Sequence, residues 1–316
     1  MRLLLKFAVS IGLLSWLLVR SDIGQVLTTL AKLSPSVIAS VAALLPVMAG
    51  VAALKWWLFI PSHRFFDLVG LNLVGTFYSI VLPGQVAGEA VKIYRLGAGR
   101  ADAEQIAASV LVDKVNGMIG LLALGILGAH ASQLGIPRSL VASFSVTLIV
   151  GLALLYSLHV PLLRRNIENA IGWVSRRWSF ARPIAERLAL FLAASTRYLA
   201  RPGLMVASVL LGISYQLLCI AVILLIAPSF GIHVALVEWL WVFAVVATAA
   251  LLPLSIGGLG IREGAFVAVL GVLQVPSSSA LALSLTIFAT QLATALLGGL
   301  IEFAGFWKRR QHSDVE

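Results

Sequence analysis

Charged side chains are scarce in this 316-residue chain, and those with the most chemical potential fall into three groups. Glu89, Lys92 and Arg95 follow Pro83, Gly84 and Gly88; Asp113 and Lys114 sit inside Ser109-Val-Leu-Val-Asp-Lys-Val-Asn-Gly117. Arg262 and Glu263 follow Pro253, Ser255, Gly257, Gly258 and Gly260. Lysine or arginine beside a glycine-freed backbone can hold an anion, phosphate foremost. A short helix expected over roughly 261–273 would turn its N-terminal amides and positive dipole end toward the second break. The carboxylates can do acid/base work or pair with the cations. Two readings stand side by side. Arg262, Glu263, Lys92, Glu89, Arg95, Asp113, Lys114, Ser255 and Gly258 bind a substrate, or Arg262 and Glu263 pair with each other or with Glu89 and Lys92 and lock the breaks together. Lys92 and Arg95 also suit headgroup-level anchors.

Other chemistries find no footing. His63, His130, His159, His233 and His312 are scattered, and Cys219 is the one cysteine, so no metal site and no disulfide framework is expected. No nucleotide-binding loop is present, and no cofactor is expected. Adjacent residues on a helix diverge, so Asp113 and Lys114 should face different neighbours, with Lys92 or Arg262 serving Asp113 and Glu89 serving Lys114. Gln216 and Gln291 read as hydrogen-bond links between helices.

The elements that carry these groups lie in a membrane. Sixty per cent of the residues are apolar and 11% charged, with a mean hydropathy of +1.01, against about 25% charged in soluble domains. A span needs about 20 apolar residues. Stretches near 3–19, 35–54, 106–129, 139–159, 204–227 and 279–304 qualify. The stretch to Val19 has no small-residue cleavage pattern and reads as an uncleaved span. Two more apolar stretches, 66–82 and 236–252, each run into a Pro/Gly break and a shorter polar arm. If each returns to its own side, 18 of the 23 basic residues face the cytoplasm, with both termini.

The expected fold is therefore an all-α polytopic membrane protein: six transmembrane helices plus two Pro/Gly-broken re-entrant hairpins. Residues 1–129 and 130–305 each read span, span, hairpin, span. Three crossings per half invert the second relative to the first, a transporter-like repeat. Residues 306–316 form a cytoplasmic tail. Reading both stretches as kinked spans gives eight crossings and also keeps the termini inside. Residues 160–203 carry eight arginines against Glu168 and Glu186. Ile167, Ile171, Val174 and Trp178 recur at helical spacing, as in an amphipathic helix on the cytoplasmic leaflet. No nucleic-acid-reading module surrounds the run.

Three stretches resemble the signatures of the lysylphosphatidylglycerol synthase transmembrane-region family, also described as flippase-like. They are Leu82-Pro-Gly-Gln-Val-Ala-Gly-Glu-Ala-Val-Lys-Ile-Tyr94, Ala108-Ser-Val-Leu-Val-Asp-Lys114 and Leu252-Pro-Leu-Ser-Ile-Gly-Gly-Leu-Gly-Ile-Arg-Glu-Gly264. The resemblance covers nearly the whole chain, and the third stretch is the most specific. It implies a bacterial inner-membrane or archaeal protein that handles lipid. Members with an added cytosolic domain aminoacylate phosphatidylglycerol and flip the product; stand-alone members are linked to hopanoid or polyprenyl-glycolipid pathways. Since the chain ends at Glu316, soon after the last span, the aminoacyl-transferase domain and its synthase activity are not expected. Lys92 stands where the family commonly has arginine, and Asp113-Lys114 where it has Glu-Arg. Charge is kept, but the bidentate grip of arginine on phosphate is not.

The leading expectation is a lipid flippase-like protein that binds or moves an anionic or polyprenyl-linked (glyco)lipid in the bacterial inner membrane. It is not expected to be an enzyme. The rivals are a membrane-embedded enzyme on a lipid-linked substrate, using Glu89, Asp113 and Glu263, and a non-transporting partner of a lipid-modifying synthase docked through the basic loop. Lipids are the expected partners, a lipid-synthesis enzyme a further one, and nucleic acid none; the oligomeric state stays open.

Overall fold

A chain in hydrocarbon must satisfy its backbone within each segment, which helices do. The computed structural model is helical accordingly, with no strand among the described residues. The structure describes residues 23–82, 87–98, 100–134, 138–157, 182–251 and 258–313, together with Leu17, Ile136 and a few positions between 165 and 173. The helices are α1 (Ile23–Leu30), α2 (Pro35–Trp57), α3 (Phe65–Val81), α4 (Ala87–Gly97), α5 (Ala103–Ala131) and α6 (Arg138–Ser157). They continue as α7 (Arg182–Leu199), α8 (Pro202–Ile226), α9 (Leu236–Ala250), α10 (Ile261–Val272) and α11 (Ser277–Ser313), with a 3-10 turn at Ala227–Phe230.

Helices Pro35–Trp57, Ala103–Ala131, Ser277–Ala304 and the run Pro202–Phe230 are long and apolar enough to cross a membrane. They coincide with four of the six expected spans. The expected span 139–159 falls on the 20-residue helix α6, whose described apolar part, Arg138–Ala153, is shorter than the four. The expected span 3–19 lies outside the described residues apart from Leu17.

Local sequence explains the ends. Ser34 accepts the Val37 N–H at 3.4 Å with Pro35 at the first helical position, so α2 begins there. Leu82 is extended (φ −92°, ψ 148°), as a residue before proline prefers, and α3 stops. Gly231 closes the 3-10 turn at φ 70°, a conformation that favours glycine.

Between the helices, small residues allow close approach, which substitutes for the hydrophobic drive that lipid removes. Gly117 and Gly120 of α5 meet Gly212 and Ile213 of α8, while Gly125 and Gly128 meet Ala244 and Leu240 of α9. Trp239, Ile220, Ile223, Phe266, Leu270 and Leu283 fill the main core. Large apolar side chains such as Phe66, Leu127, Ile149, Leu300 and Phe303 stay exposed, as a lipid-facing surface requires.

Helices α3 and α4 form an antiparallel hairpin: Gly75 packs on Gly88, and Asn72 bonds Lys92 three residues earlier on α3 and four later on α4. Its open end lies at the start of α5, where Leu68 packs with Ile106. Helices α9 and α10 pack together as a second hairpin. The open end of this one lies at the far end of α5, where Ser132 bonds Glu238 in the first turn of α9. The hairpins thus open at opposite ends of the molecule. Helix α5 packs on α4 and on α9; helix α11 packs on α10 and on α3. Each long helix therefore supports the second arm of its own hairpin and the first arm of the other.

Three expectations shift. Helix α11 runs 37 residues to Ser313, through most of the expected tail. Helix α1 had no counterpart in the reading of spans. In the basic loop, Ile167, Ile171, Val174 and Trp178 lie outside the described residues, but α7 in its second half docks on α5, burying Ala194, Tyr198 and Leu199. Docking on protein, rather than contact with the leaflet alone, holds that half.

Candidate functional site

The first charged cluster runs along the first hairpin and is assembled by five helices, α2, α3, α4, α5 and α11. The Lys92 ammonium lies 2.5 Å from a Glu89 oxygen, one turn away on α4, and 3.1 Å from the Asn72 carbonyl oxygen on α3. It also stands 5.1 Å from the centre of the Trp56 ring on α2, a cation–π contact. Trp56 is itself held by its indole N–H on Ser109 at 2.9 Å. Lys114 reaches the other Glu89 oxygen at 3.3 Å. Glu89 thus sits between two lysines, as an isolated carboxylate at this depth could not.

Asp113 faces the opposite way. Its partner is Lys55 near the end of α2, at 3.3 Å, and the Lys55 ammonium also donates to the Asp113 backbone carbonyl at 3.4 Å. So Asp113 and Lys114 do face different neighbours, and Glu89 does serve Lys114. Neither Lys92 nor Arg262 makes the ion pair with Asp113; that role belongs to Lys55. Arg95 pairs with Glu302 of α11, whose same carboxylate oxygen accepts from the Tyr78 hydroxyl at 3.3 Å. This cluster gathers four cations, Lys55, Lys92, Arg95 and Lys114, against the three carboxylates Glu89, Asp113 and Glu302. Two buried polar atoms in it lack a partner: the Asp113 Oδ1 and the Asn72 Nδ2.

The second cluster is built on the start of α10. Gly258 and Gly260 take φ of 76° and 84°, a left-handed path that glycine follows without strain. That path lets Glu263 fold back over the helix end, where its Oε2 accepts the Gly260 N–H at 2.6 Å, the carboxylate half of a capping box. Its Oε1 accepts from Arg262 at 2.5 Å and from Ser284 of α11 at 3.4 Å. Arg262 spends a further N–H on Gln291 of α11 at 2.7 Å and stacks over Phe288 at 4.8 Å. Both charges are buried, Glu263 completely. The anion at the helix start is thus an internal one, and Arg262 pairs with Glu263 rather than with the first hairpin.

Among the described residues the two clusters are joined through α11, which carries Gln291 against Arg262 and Glu302 against Arg95. Eleven residues of helix separate those contacts, about 16 Å at ~1.5 Å per residue. Gly258 lies in the described turn before α10, whereas Pro83, Gly84, Pro253, Ser255 and Gly257 lie outside the described residues. Gly88 serves packing: a Cβ there would fall 2.1 Å from the Gly75 carbonyl oxygen. Gln291 and Gln216 do link helices, the latter through the Gly117 carbonyl at 3.4 Å. Sequence reasoning missed Lys55, Glu302 and Asn72. The signal was there, since each is a polar residue at the end of or within an otherwise apolar segment. Among the described residues no three of His, Cys, Asp and Glu converge as metal ligands. Beyond the spans, the Arg100 guanidinium bonds Asp102 at 2.9 Å and holds that carboxyl below its ordinary value.

Long apolar helices around one partly buried and one buried charge cluster define a polytopic α-helical membrane protein with a polar interior. The family model "Lysylphosphatidylglycerol synthase TM region" matches residues 3–299. The chain belongs to that family, a membrane family concerned with lipid handling. No curated protein and no solved structure gives a significant match.

Proposed function

We propose that the protein is a flippase-like lipid translocase of the bacterial inner membrane, with both termini cytoplasmic, and that it is not an enzyme. In this reading six helices cross the bilayer and the hairpins α3–α4 and α9–α10 enter it from opposite faces as inverted repeats. The helix lengths support it: 17 and 11 residues in one hairpin, 15 and 12 in the other, so ~16–25 Å per arm against a hydrocarbon core of about 30 Å. The reciprocal support of the hairpins by α5 and α11 fits two inverted halves.

One observation carries the functional reading. In the first cluster cations outnumber carboxylates, and the Asp113 Oδ1 and Asn72 Nδ2 are buried without partners. Buried polar atoms are normally satisfied; the free Asn72 N–H beside surplus positive charge suits an anionic group, while the Asp113 oxygen, an acceptor, suits a headgroup hydroxyl and not the phosphate itself. The acyl chains would stay in lipid. Arg262 is the second station, able to exchange Glu263 or Gln291 for a headgroup phosphate. No nucleotide motif is present in the sequence, so an ion gradient, substrate synthesis or mass action supplies the drive.

The test is reconstitution in liposomes with headgroup-labelled phosphatidylglycerol, comparing wild type, Lys92→Met, Arg262→Ala and empty vesicles. Loss of one charge-assisted contact slows headgroup movement roughly tenfold or more. Equal movement by wild type and both variants, above empty vesicles, removes the site assignment. Wild-type movement no faster than empty vesicles removes translocation itself.

A further inference from the structure

A second anion site lies away from both clusters. A half-open cavity of about 280 Å³ is bounded by the loop after α2, the first turn of α5 and the end of α7. Phe59 and Tyr198 form its apolar wall, packed edge to face with ring centres 5.2 Å apart. The Tyr198 hydroxyl is tied to the Gln105 backbone carbonyl at 3.5 Å, which fixes the wall against α5. Arg197, Arg201 and the exposed Ser62 complete the lining.

Three features distinguish this cavity from a packing flaw. Arg197 and Arg201 are exposed and make no ion pair among the described residues, as is also true of Arg64, whereas Lys55, Lys92, Arg95, Arg100 and Lys114 each have a carboxylate partner. Of the acids at the start of α5, Asp102 is committed to Arg100, and Glu104 makes no ion pair with either arginine. The cavity also receives the starts of two long helices, since Gln105 is the third residue of α5 and Arg201 directly precedes α8. The negative end of α7 meets them there, so the two guanidinium groups set the sign of the cavity. An unpaired arginine fork matches a phosphate or carboxylate bidentately. The volume falls just below the range of ligand pockets, about 300–1,000 Å³, so the occupant is the size of a headgroup rather than a whole lipid.

We propose that this cavity binds a phosphate group carried on a small polar moiety, held by Arg197 and Arg201 and resting against Phe59 and Tyr198. The source is either a lipid headgroup or a soluble phosphate ester. Gln105 lies eight residues before Asp113 on α5, about 12 Å along the helix, so the cavity is separate from the first cluster. The inference concerns equilibrium binding, and its failure leaves translocation untouched.

The experiment measures binding by native mass spectrometry of the full chain in a phosphate-free maltoside detergent. One arm adds glycerol 1-phosphate and the other phosphatidylglycerol. Wild type and Arg187→Gln, an exposed arginine of α7 outside the cavity, should retain at least one of the two probes. Arg197→Gln/Arg201→Gln should weaken that retention roughly tenfold or more, as loss of charge-assisted contacts does. Ser62→Trp, which keeps every charge and crowds the cavity, should weaken it too, and it decides the matter if charge removal disturbs folding. Retention of the soluble ester assigns a phosphate-ester ligand, and retention of the lipid alone assigns a headgroup. Failure of both probes on wild type overturns the proposal. So does undiminished binding by both cavity variants, or equal weakening by Arg187→Gln.

Discussion

At the scale of residues, the first cluster separates what a charge costs from what it contributes. A buried ion pair is a weak source of stability, but one partner left alone in the interior is expensive. Lys55 and Asp113 are side chains 12% and 14% exposed, 3.3 Å apart. Lys55→Met alone or Asp113→Leu alone should each destabilise the protein by about 3 kcal/mol, and the double variant should recover most of that loss. Unfolding in mixed detergent micelles measures the three. Additive losses in the double variant would show that the two side chains do not act as a pair. The pairing also shows where residue-level reading stopped. Lys55 read as a mark of the cytoplasmic side because it stands at the end of an apolar run, and its partner is 58 positions away. Glu263, by contrast, was legible locally: a glycine, two residues and a glutamate spell half a capping box. The step to an internal anion at that helix start needed only that pattern.

At the scale of elements, glycine contacts set how tightly the hairpins close. A Cβ on Gly88 would fall 2.1 Å from the Gly75 carbonyl oxygen, and one on Gly298 would fall 2.0 Å from that of Leu73. In both cases backbone stands in the way, so the helices must separate. Gly88→Ala and Gly298→Ala should each cost about 1–3 kcal/mol or more. Gly50→Ala, on α2 with nothing within 4 Å, should be neutral or mildly stabilising. Thermal unfolding in detergent ranks them; a Gly50→Ala loss equal to the other two would rule out close packing as the cause. The elements themselves were mostly written in composition. Runs of apolar residues, Pro83 and the glycines after Pro253 announced α2, α3, α5, α8 and α10 within a few positions. Helix α1 escaped because eight residues carry too little signal, and α7 went unread within the basic loop because only packing on α5 distinguishes a docked segment from a surface one. Where α11 ends was illegible for another reason: the composition turns basic after Phe306, while the helix continues.

At the scale of the whole molecule, the central claim is that two hairpins bring polar groups into the bilayer from opposite faces. Their open ends lie at opposite ends of α5, and each long helix supports one arm of either hairpin. The sequence left a choice between hairpins and kinked spans because a Pro/Gly break permits both; helix pairing, which is non-local, distinguishes their geometry. Single cysteines in a Cys219→Ser background, labelled in intact cells and then in opened membranes with a charged thiol reagent, measure sidedness directly. Ser62→Cys and Arg100→Cys flank the first hairpin; His233→Cys and Ser277→Cys flank the second. The account predicts that Ser62 and Arg100 label only from the cytoplasm, and that His233 and Ser277 both label from outside. A pair that splits between the two faces would contradict it, because the segment between them would then be a span.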